Sequence, residues 1–275
     1  MIRIDGKDTY IVYADWNIFD DITKSRQNEL ETVVALAKEK KSIICPYSII
    51  HLHEASNVDL TIPDGDKLVD INYNSIRSFS DLWHIENVDP TDLRVRIVDP
   101  SEILHPTFSR SFITNFENEI APIMEGIARV RQNAKDHGLD SQFLNNTASK
   151  NFTSTVNNIL IAPENFEEYK HIAPAGLTFD DLLDLGSTIA GTNEAQKFVL
   201  VYMLSDLTGY HSDPPADLKS LWRDASHVSH ARGADILVSS DKRMRQKAAF
   251  TYEKLGWPTT VLDIDEATKF IELIP

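Results

Sequence analysis

The chain has 275 residues and a formal net charge of -15, from 42 acidic and 27 basic side chains. Nonspecific nucleic-acid binders gain most of their affinity by neutralising phosphates, so this acidity counts against broad, tight binding of nucleic acid. A single cysteine excludes an internal disulfide and a multi-cysteine zinc site.

The N-terminal third is predicted to alternate between strand and helix. Residues 10–14 form a short apolar run that ends abruptly at Asp15, and residues 17–41 follow helical spacing. Residues 42–46 are a second apolar run closed by a proline, and a capped helix carrying Glu54 follows it.

The C-terminal third repeats this alternation. The predicted helices cover 216–232, 241–255 and 266–273, and the predicted strands cover 234–239 and 259–262. Strands that alternate with helices indicate a mainly parallel sheet covered by helices on both faces. The fold class is therefore predicted to be α/β.

The middle of the chain, at about 60–213, has a different pattern. Residues 93–98 are typical of a strand, and candidate helices cover 111–138, 140–160, 179–185 and 194–208. Neither α/β third has enough strands for a stable sheet alone. We therefore predict one domain, with a core from about 1–59 and 214–275 and a mainly helical insertion at about 60–213.

Four acidic residues occupy positions at which parallel sheets collect ligands, beyond the carboxyl ends of the strands. Asp15 directly follows the first predicted strand, and Asp241 directly follows the strand at 234–239. Glu54 lies one to two turns into the helix after the second strand, and Asp224 lies in the helix that leads to the Asp241 strand. With the usual right-handed connections, all four can meet at one edge of the sheet.

Clustered carboxylates repel one another unless cations compensate their charge. Mg²⁺ and Mn²⁺ prefer oxygen ligands and retain waters, so a site made only of carboxylates suits them. Such ions activate water and stabilise displacement at phosphorus. The pattern therefore predicts a Mg²⁺- or Mn²⁺-dependent phosphodiester hydrolase.

Three stretches of the chain resemble the PIN-domain nucleases: residues 11–19, 48–54, and 224–227 running on to 234–241. The resemblance implies an α/β/α sandwich with a central, mainly parallel sheet, and RNA rather than DNA as substrate. It also implies metal ligation, direct or through water, by Asp15, Glu54, Asp224 and Asp241. Asn17 and Ser239 would support these ligands by hydrogen bonds, and Ser240 is an alternative to Ser239.

A basic run at 242–247 directly follows Asp241. Charge runs on helices are usually solvated, but this one lies beside the predicted site. We expect Lys242, Arg243 and Arg245 to contact phosphates next to the scissile bond. Trp16 is either a base-stacking residue or part of the core.

Histidines near the acids leave a second kind of metal site open. A mixed site of histidines and carboxylates would bind Zn²⁺, Mn²⁺ or Fe²⁺ and support phosphatase chemistry. The simpler interpretation is that these histidines are structural. The residues concerned are His51, His53, His227 and His230.

Two other functions compete with a nuclease. An aspartate-based phosphatase needs a second Asp two residues after its nucleophile, where this chain has Asn17. A non-catalytic module would bind RNA or a protein partner, with the insertion as its contact surface.

Localisation is predicted from what the sequence lacks. No apolar run reaches the roughly 18–20 residues that span a bilayer, and the first residues lack the apolar region of a signal peptide. We expect a cytoplasmic protein with no membrane contact.

Overall fold

The computed structural model describes residues 2–4, 7–23, 42–58, 64–89, 92–104, 194–212 and 218–274, and positions 34, 35, 38, 151, 153, 154, 157, 178–181, 183 and 184. The chain forms two compact units. Unit 1 comprises residues 1–117, 230–245 and 257–275, and unit 2 comprises residues 118–229 and 246–256. The predicted insertion at 60–213 therefore contributes to both units, and its status as an insertion into one domain stays a prediction.

The described elements alternate between strand and helix at both ends of the chain. In chain order they are β1 (Ile2–Ile4), β2 (Lys7–Ala14), α1 (Trp16–Thr23), β3 (Ile43–Ile44), α2 (Ile49–Ser56), α3 (Gly65–Ser80), β4 (Trp83–Asp89), β5 (Asp92–Ile97), α4 (Pro100–Ile103), α5 (Glu194–Leu207), α6 (Leu218–Ala231), β6 (Ile236–Val238), α7 (Lys242–Leu255), β7 (Thr260–Leu262) and α8 (Ile264–Glu272).

The main sheet of unit 1 has the strand order β1-β2-β6-β7, with β3 also paired to β2. Strand β2 pairs in parallel with β3 and β6, and β6 pairs in parallel with β7. Only β1 is antiparallel to its neighbour. The predicted α/β class with a mainly parallel sheet is confirmed.

Strand β2 is central because its residues are apolar on both faces. Ile11, Val12, Tyr13 and Ala14 are all buried, as is every residue of β6. Continuous burial of this kind is expected when helices cover both faces of a parallel sheet. Val12 and Ala14 belong to the main apolar cluster of unit 1, which also contains residues of α1, α2, α3 and α8.

A second, two-stranded sheet in unit 1 was only partly anticipated. The predicted strand at 93–98 is present as β5, but β4, its antiparallel partner, and helix α3 were not among the predicted elements. Tyr47 links the two sheets of unit 1, because it follows β3 and bridges His84 of β4. This segment lies in a region that we predicted to be mainly helical.

The other predicted elements match the structure closely. Helix α5 matches the prediction at 194–208, and the C-terminal helices and strands lie within a few residues of their predicted bounds. The described positions within 140–160 and 179–185 that are assigned a structure are helical. The predicted helix at 111–138 lies outside the described residues, as do positions 24–33, 36, 37 and 39–41 of the first predicted helix.

Unit 2 has its own apolar cluster. Phe179, Val201, Tyr210 and Phe250 are buried together, and the rings of Phe179 and Phe250 meet edge to face with centroids 5.8 Å apart. Helix α7 contributes Phe250 to this cluster. None of the described helices is long and apolar enough to cross a membrane.

Candidate functional site

Three parallel strands of unit 1 end side by side. The backbone N–H of Asp15 donates to the carbonyl of Val238 at 3.0 Å, so the β2–β6 pairing continues into Asp15. The N–H of Ser239 in turn donates to the carbonyl of Leu262 at 3.2 Å, at the end of β7. The residues that follow β2, β6 and β7 therefore share the carboxyl edge of the sheet, at which ligands of parallel sheets collect.

The Asp15 carboxylate is buried at this edge, with 1 % of its surface exposed. Its Oδ2 accepts hydrogen bonds from the Ser239 hydroxyl and from Asn17 Nδ2, the latter at 3.2 Å. Its Oδ1 accepts the backbone N–H of Ile18 at 3.3 Å, so Asp15 also caps helix α1. The two support residues predicted from sequence, Asn17 and Ser239, thus both contact Asp15.

The pKa of Asp15 is raised from 3.8 to about 7. Burial is the largest cause, because it penalises the charged form, and the negative charge of Glu54 raises the pKa further. The hydrogen bonds from Ser239, Ile18 and Asn17 act in the opposite direction. Asp15 and Glu54, which is half-buried on α2, therefore interact electrostatically.

We expect Glu54→Gln to lower the pKa of Asp15, because the substitution removes the neighbouring negative charge but leaves the burial. The pKa should stay above 3.8, since burial is the larger cause. A carboxyl ¹³C titration of Asp15 in metal-free buffer measures the change. Glu102→Gln is the control, because Glu102 is an exposed acid of the same unit that does not contribute to this shift. If the pKa of Asp15 is the same in Glu54→Gln as in the wild type, the two carboxylates do not interact electrostatically.

Ser239 connects Asp15 to Asp241. The Ser239 hydroxyl donates to Asp15 and accepts the backbone N–H of Asp241 at 3.0 Å. Asp241 Oδ1 accepts the N–H groups of Arg243 at 2.7 Å and Met244 at 3.1 Å, so Asp241 caps helix α7. Of the two candidate hydroxyls, Ser239 is the one in contact with Asp15, whereas Ser240 is exposed.

The basic residues predicted to contact phosphates have different surroundings. Lys242 and Arg243 are exposed at the start of α7. Arg245 is held by the protein itself, because its guanidinium donates to the Ser239 carbonyl at 2.8 Å and pairs with Asp263 at 3.8 Å. Arg245 therefore stabilises the end of β6, and the predicted contacts of Lys242, Arg243 and Arg245 with phosphates stay a prediction.

Asp224 lies on the part of α6 that belongs to unit 2, where it is half-buried. Within unit 1, Asp15 interacts with the charge of Glu54 and is linked to Asp241 through Ser239, and the role of Asp224 stays a prediction. His227, one turn further along α6, is buried, and burial with the nearby charge of Arg223 lowers its pKa to about 3. His227 is therefore neutral in the folded protein near neutral pH.

Among the residues that the structure describes, no three His, Cys, Asp or Glu side chains come close enough to hold a metal ion together. A Mg²⁺ site does not require three, because this ion is commonly bound through one or two carboxylates, waters and substrate phosphates. Asp15 and Glu54 are such a pair of carboxylates, since the negative charge of Glu54 acts on Asp15 and helps to raise its pKa. The residues at this edge fit a divalent cation with oxygen ligands.

Two contributors to this edge were not identified from the sequence. Asp263 directly follows β7, caps α8 and pairs with Arg245. Its position after a predicted strand is the same signal that identified Asp15. His51, which we weighed as a metal ligand, instead contacts the Ala14 carbonyl next to Asp15.

Trp16 is half-buried, stacks on Phe19 and packs against the core of unit 1.

Comparisons of the whole chain with protein-family models, with curated proteins and with solved structures found no match.

Proposed function

We propose that this chain is a PIN-like nuclease with an α/β/α core that hydrolyses phosphodiester bonds, in RNA rather than DNA, with Mg²⁺ or Mn²⁺. One observation carries the proposal: the buried Asp15 carboxyl lies at the carboxyl edge of the sheet, interacts with the charge of Glu54 and is joined to Asp241 through Ser239. This is the position and chemistry that a hydrolytic metal centre requires.

The carboxylates would hold the cation, and the remaining residues would orient them. Asp15 and Glu54 are the principal ligands, with Asp241 contributing directly or through water. Asn17 and Ser239 hold one Asp15 oxygen by donating to it, and the Ile18 N–H holds the other. A bound Mg²⁺ or Mn²⁺ would supply an activated water and stabilise charge on the phosphate oxygens.

Substrate binding is assigned to the exposed start of α7. Lys242 and Arg243 lie one and two residues after Asp241, so they are close to the proposed metal ligands along the chain. Cationic side chains at this place would contact phosphates next to the scissile bond without reading sequence. A net charge of -15 makes such local contacts necessary, because the chain as a whole repels polyanions.

Calorimetric titration of the full chain with Mn²⁺ tests the proposal. We expect stoichiometric uptake by the wild-type protein, and weaker uptake by Glu54→Gln because one ligand charge is lost. Cleavage of single-stranded RNA should require Mg²⁺ or Mn²⁺, stop with EDTA and exceed cleavage of DNA of the same sequence. A wild-type protein that takes up no divalent ion and leaves RNA intact would refute the proposal.

A non-catalytic module that binds RNA or a protein partner is the second candidate. It is favoured by the absence of a three-ligand group among the described residues and by the hydrogen bonds that already satisfy both Asp15 oxygens. In this case RNA binding would occur equally with EDTA and without cleavage. An aspartate-based phosphatase is less well supported, because position 17 is Asn where such an enzyme needs a second Asp.

A further inference from the structure

His51 uses both of its ring nitrogens within the fold of unit 1. Nδ1 accepts the backbone N–H of Ser48 at 2.9 Å, and Nε2 lies 2.7 Å from the carbonyl oxygen of Ala14. Because a backbone N–H can only donate, Nδ1 carries no proton and the single ring proton is on Nε2. The imidazole is therefore neutral, and its Nε2–H donates to Ala14.

The two hydrogen bonds of His51 join the segments that carry the two interacting carboxylates. Ala14 immediately precedes Asp15 at the end of β2. Ser48 is the N-cap of α2, and Glu54 lies one turn beyond His51 on that helix, at the i+3 position that shares its face. The imidazole is thus a direct link between the strand end that holds Asp15 and the helix that holds Glu54.

Packing fixes the orientation of this ring. His51 is fully buried, with the Tyr13 ring centroid 5.0 Å and the Phe19 ring centroid 4.7 Å from its own. The Tyr13 hydroxyl also lies 2.7 Å from the Ser48 hydroxyl, which ties β2 to the start of α2 a second time. Water cannot replace the Nε2–H at such a site, so its loss would leave the Ala14 carbonyl without this donor.

We propose that His51 is a positioning residue that sets the separation of Asp15 and Glu54 through its bond to the Ala14 carbonyl. The inference rests on the proposed metal-dependent function, since that separation matters chemically only if the two carboxylates share a cation. His51 itself would touch neither metal nor substrate. The hydrogen bond between Nδ1 and Ser48 caps helix α2. The hydrogen bond between Nε2 and Ala14 fixes the position of the end of β2 relative to that helix.

Two substitutions distinguish the effect of the hydrogen bond to Ala14 from that of the hydrogen bond to Ser48. The amide nitrogen of Gln occupies the place of Nε2, so His51→Gln keeps a donor to Ala14. The amide oxygen of Asn occupies the place of Nδ1, so His51→Asn keeps the acceptor for Ser48 and loses the donor to Ala14. Both variants introduce a smaller polar group into the same buried site, and each is therefore a control for the other.

We expect His51→Asn to lower Mn²⁺ affinity at least about tenfold, the usual effect of losing an outer-shell partner, and His51→Gln to recover most of it. Calorimetry gives the affinity, and thermal unfolding of both variants gives the stability. The Asp15 amide ¹⁵N resonance, whose peptide unit contains the Ala14 carbonyl, should shift in His51→Asn and stay nearer wild type in His51→Gln. This resonance is measured without metal.

The outcomes distinguish the inference from the proposed function. If wild-type protein takes up no Mn²⁺, the proposed function fails, and the Asp15 amide resonance alone still decides whether His51 positions the strand end. Equal losses of affinity in both variants, in proportion to their loss of stability, would overturn the inference. If neither variant folds, ¹⁵N spectra of the His51 ring in the wild-type protein test the inference instead. The inference requires the neutral Nε2–H tautomer, and the Nδ1–H tautomer would overturn it.

Discussion

We expect Asp15→Asn to abolish metal-dependent RNA cleavage and, at the same time, to stabilise the folded chain above neutral pH. The loss of cleavage follows because Asn lacks the negative charge that a divalent cation needs at this position. The gain in stability follows because the wild-type carboxylate is buried beside another acid, an arrangement that is costly without a cation. Opposite effects on activity and stability are typical of a functional residue.

The direction of the pH dependence follows from the raised pKa of Asp15. This carboxyl has a pKa of about 7 in the folded chain against its ordinary value of 3.8, so the folded state keeps a proton that the unfolded state releases. The contribution of Asp15 to wild-type stability therefore falls progressively as the pH rises from 3.8 to about 7 and changes no further above that range. Asp15→Asn should not show this loss of stability, because the amide of Asn does not titrate.

The stability difference between Asp15→Asn and wild type should reach about 4 kcal/mol at a pH of about 8, from roughly 1.4 kcal/mol per pKa unit, and fade in acid. Denaturant unfolding of both proteins across this pH range measures it. Added Mg²⁺ should stabilise wild type at the higher pH and leave the variant unchanged. A variant less stable than wild type at every pH would show that Asp15 is mainly a helix cap.

We expect Lys247→Met to destabilise unit 2 by about 3–5 kcal/mol, the usual result of removing one member of a buried ion pair. Lys247 and Asp206 are both fully buried, with Nζ and Oδ2 2.8 Å apart. The Lys247 ammonium also lies 4.7 Å from the centre of the Tyr202 ring. Removing the cation leaves the Asp206 carboxylate buried without its countercharge.

Denaturant unfolding of Lys247→Met and of two further variants checks this prediction. The double substitution Lys247→Met with Asp206→Leu should recover most of the stability, because no unpaired charge remains. Lys254→Met is the matched control: this lysine, on the same helix, pairs with Asp180 at the surface and should contribute less than about 1 kcal/mol. Equal effects of Lys247→Met and Lys254→Met would show that the buried pair contributes no more than the exposed one.

The sequence alone predicted the alternation of strands and helices and the acids that follow the strands. These features are local: an apolar run of strand length shows where a strand ends, and Asp15 and Asp241 are the next acids along the chain. The bounds of β6, α7, β7 and α8 were accurate for the same reason. Strand β4 and helix α3 were missed, although α3 buries Val69, Tyr73, Ile76 and Phe79 at regular helical spacing.

Tertiary structure decided which of these residues act together. The Ser239 hydroxyl reaches Asp15 across 224 positions of sequence, Arg245 binds the Ser239 carbonyl, and His51 binds the Ala14 carbonyl. Lys247 belongs to the basic run at 242–247 but is buried, because the helical period turns it inward while Lys242 stays exposed. Spacing along a chain fixes the face on which a side chain lies, but its partner depends on which distant segment packs there.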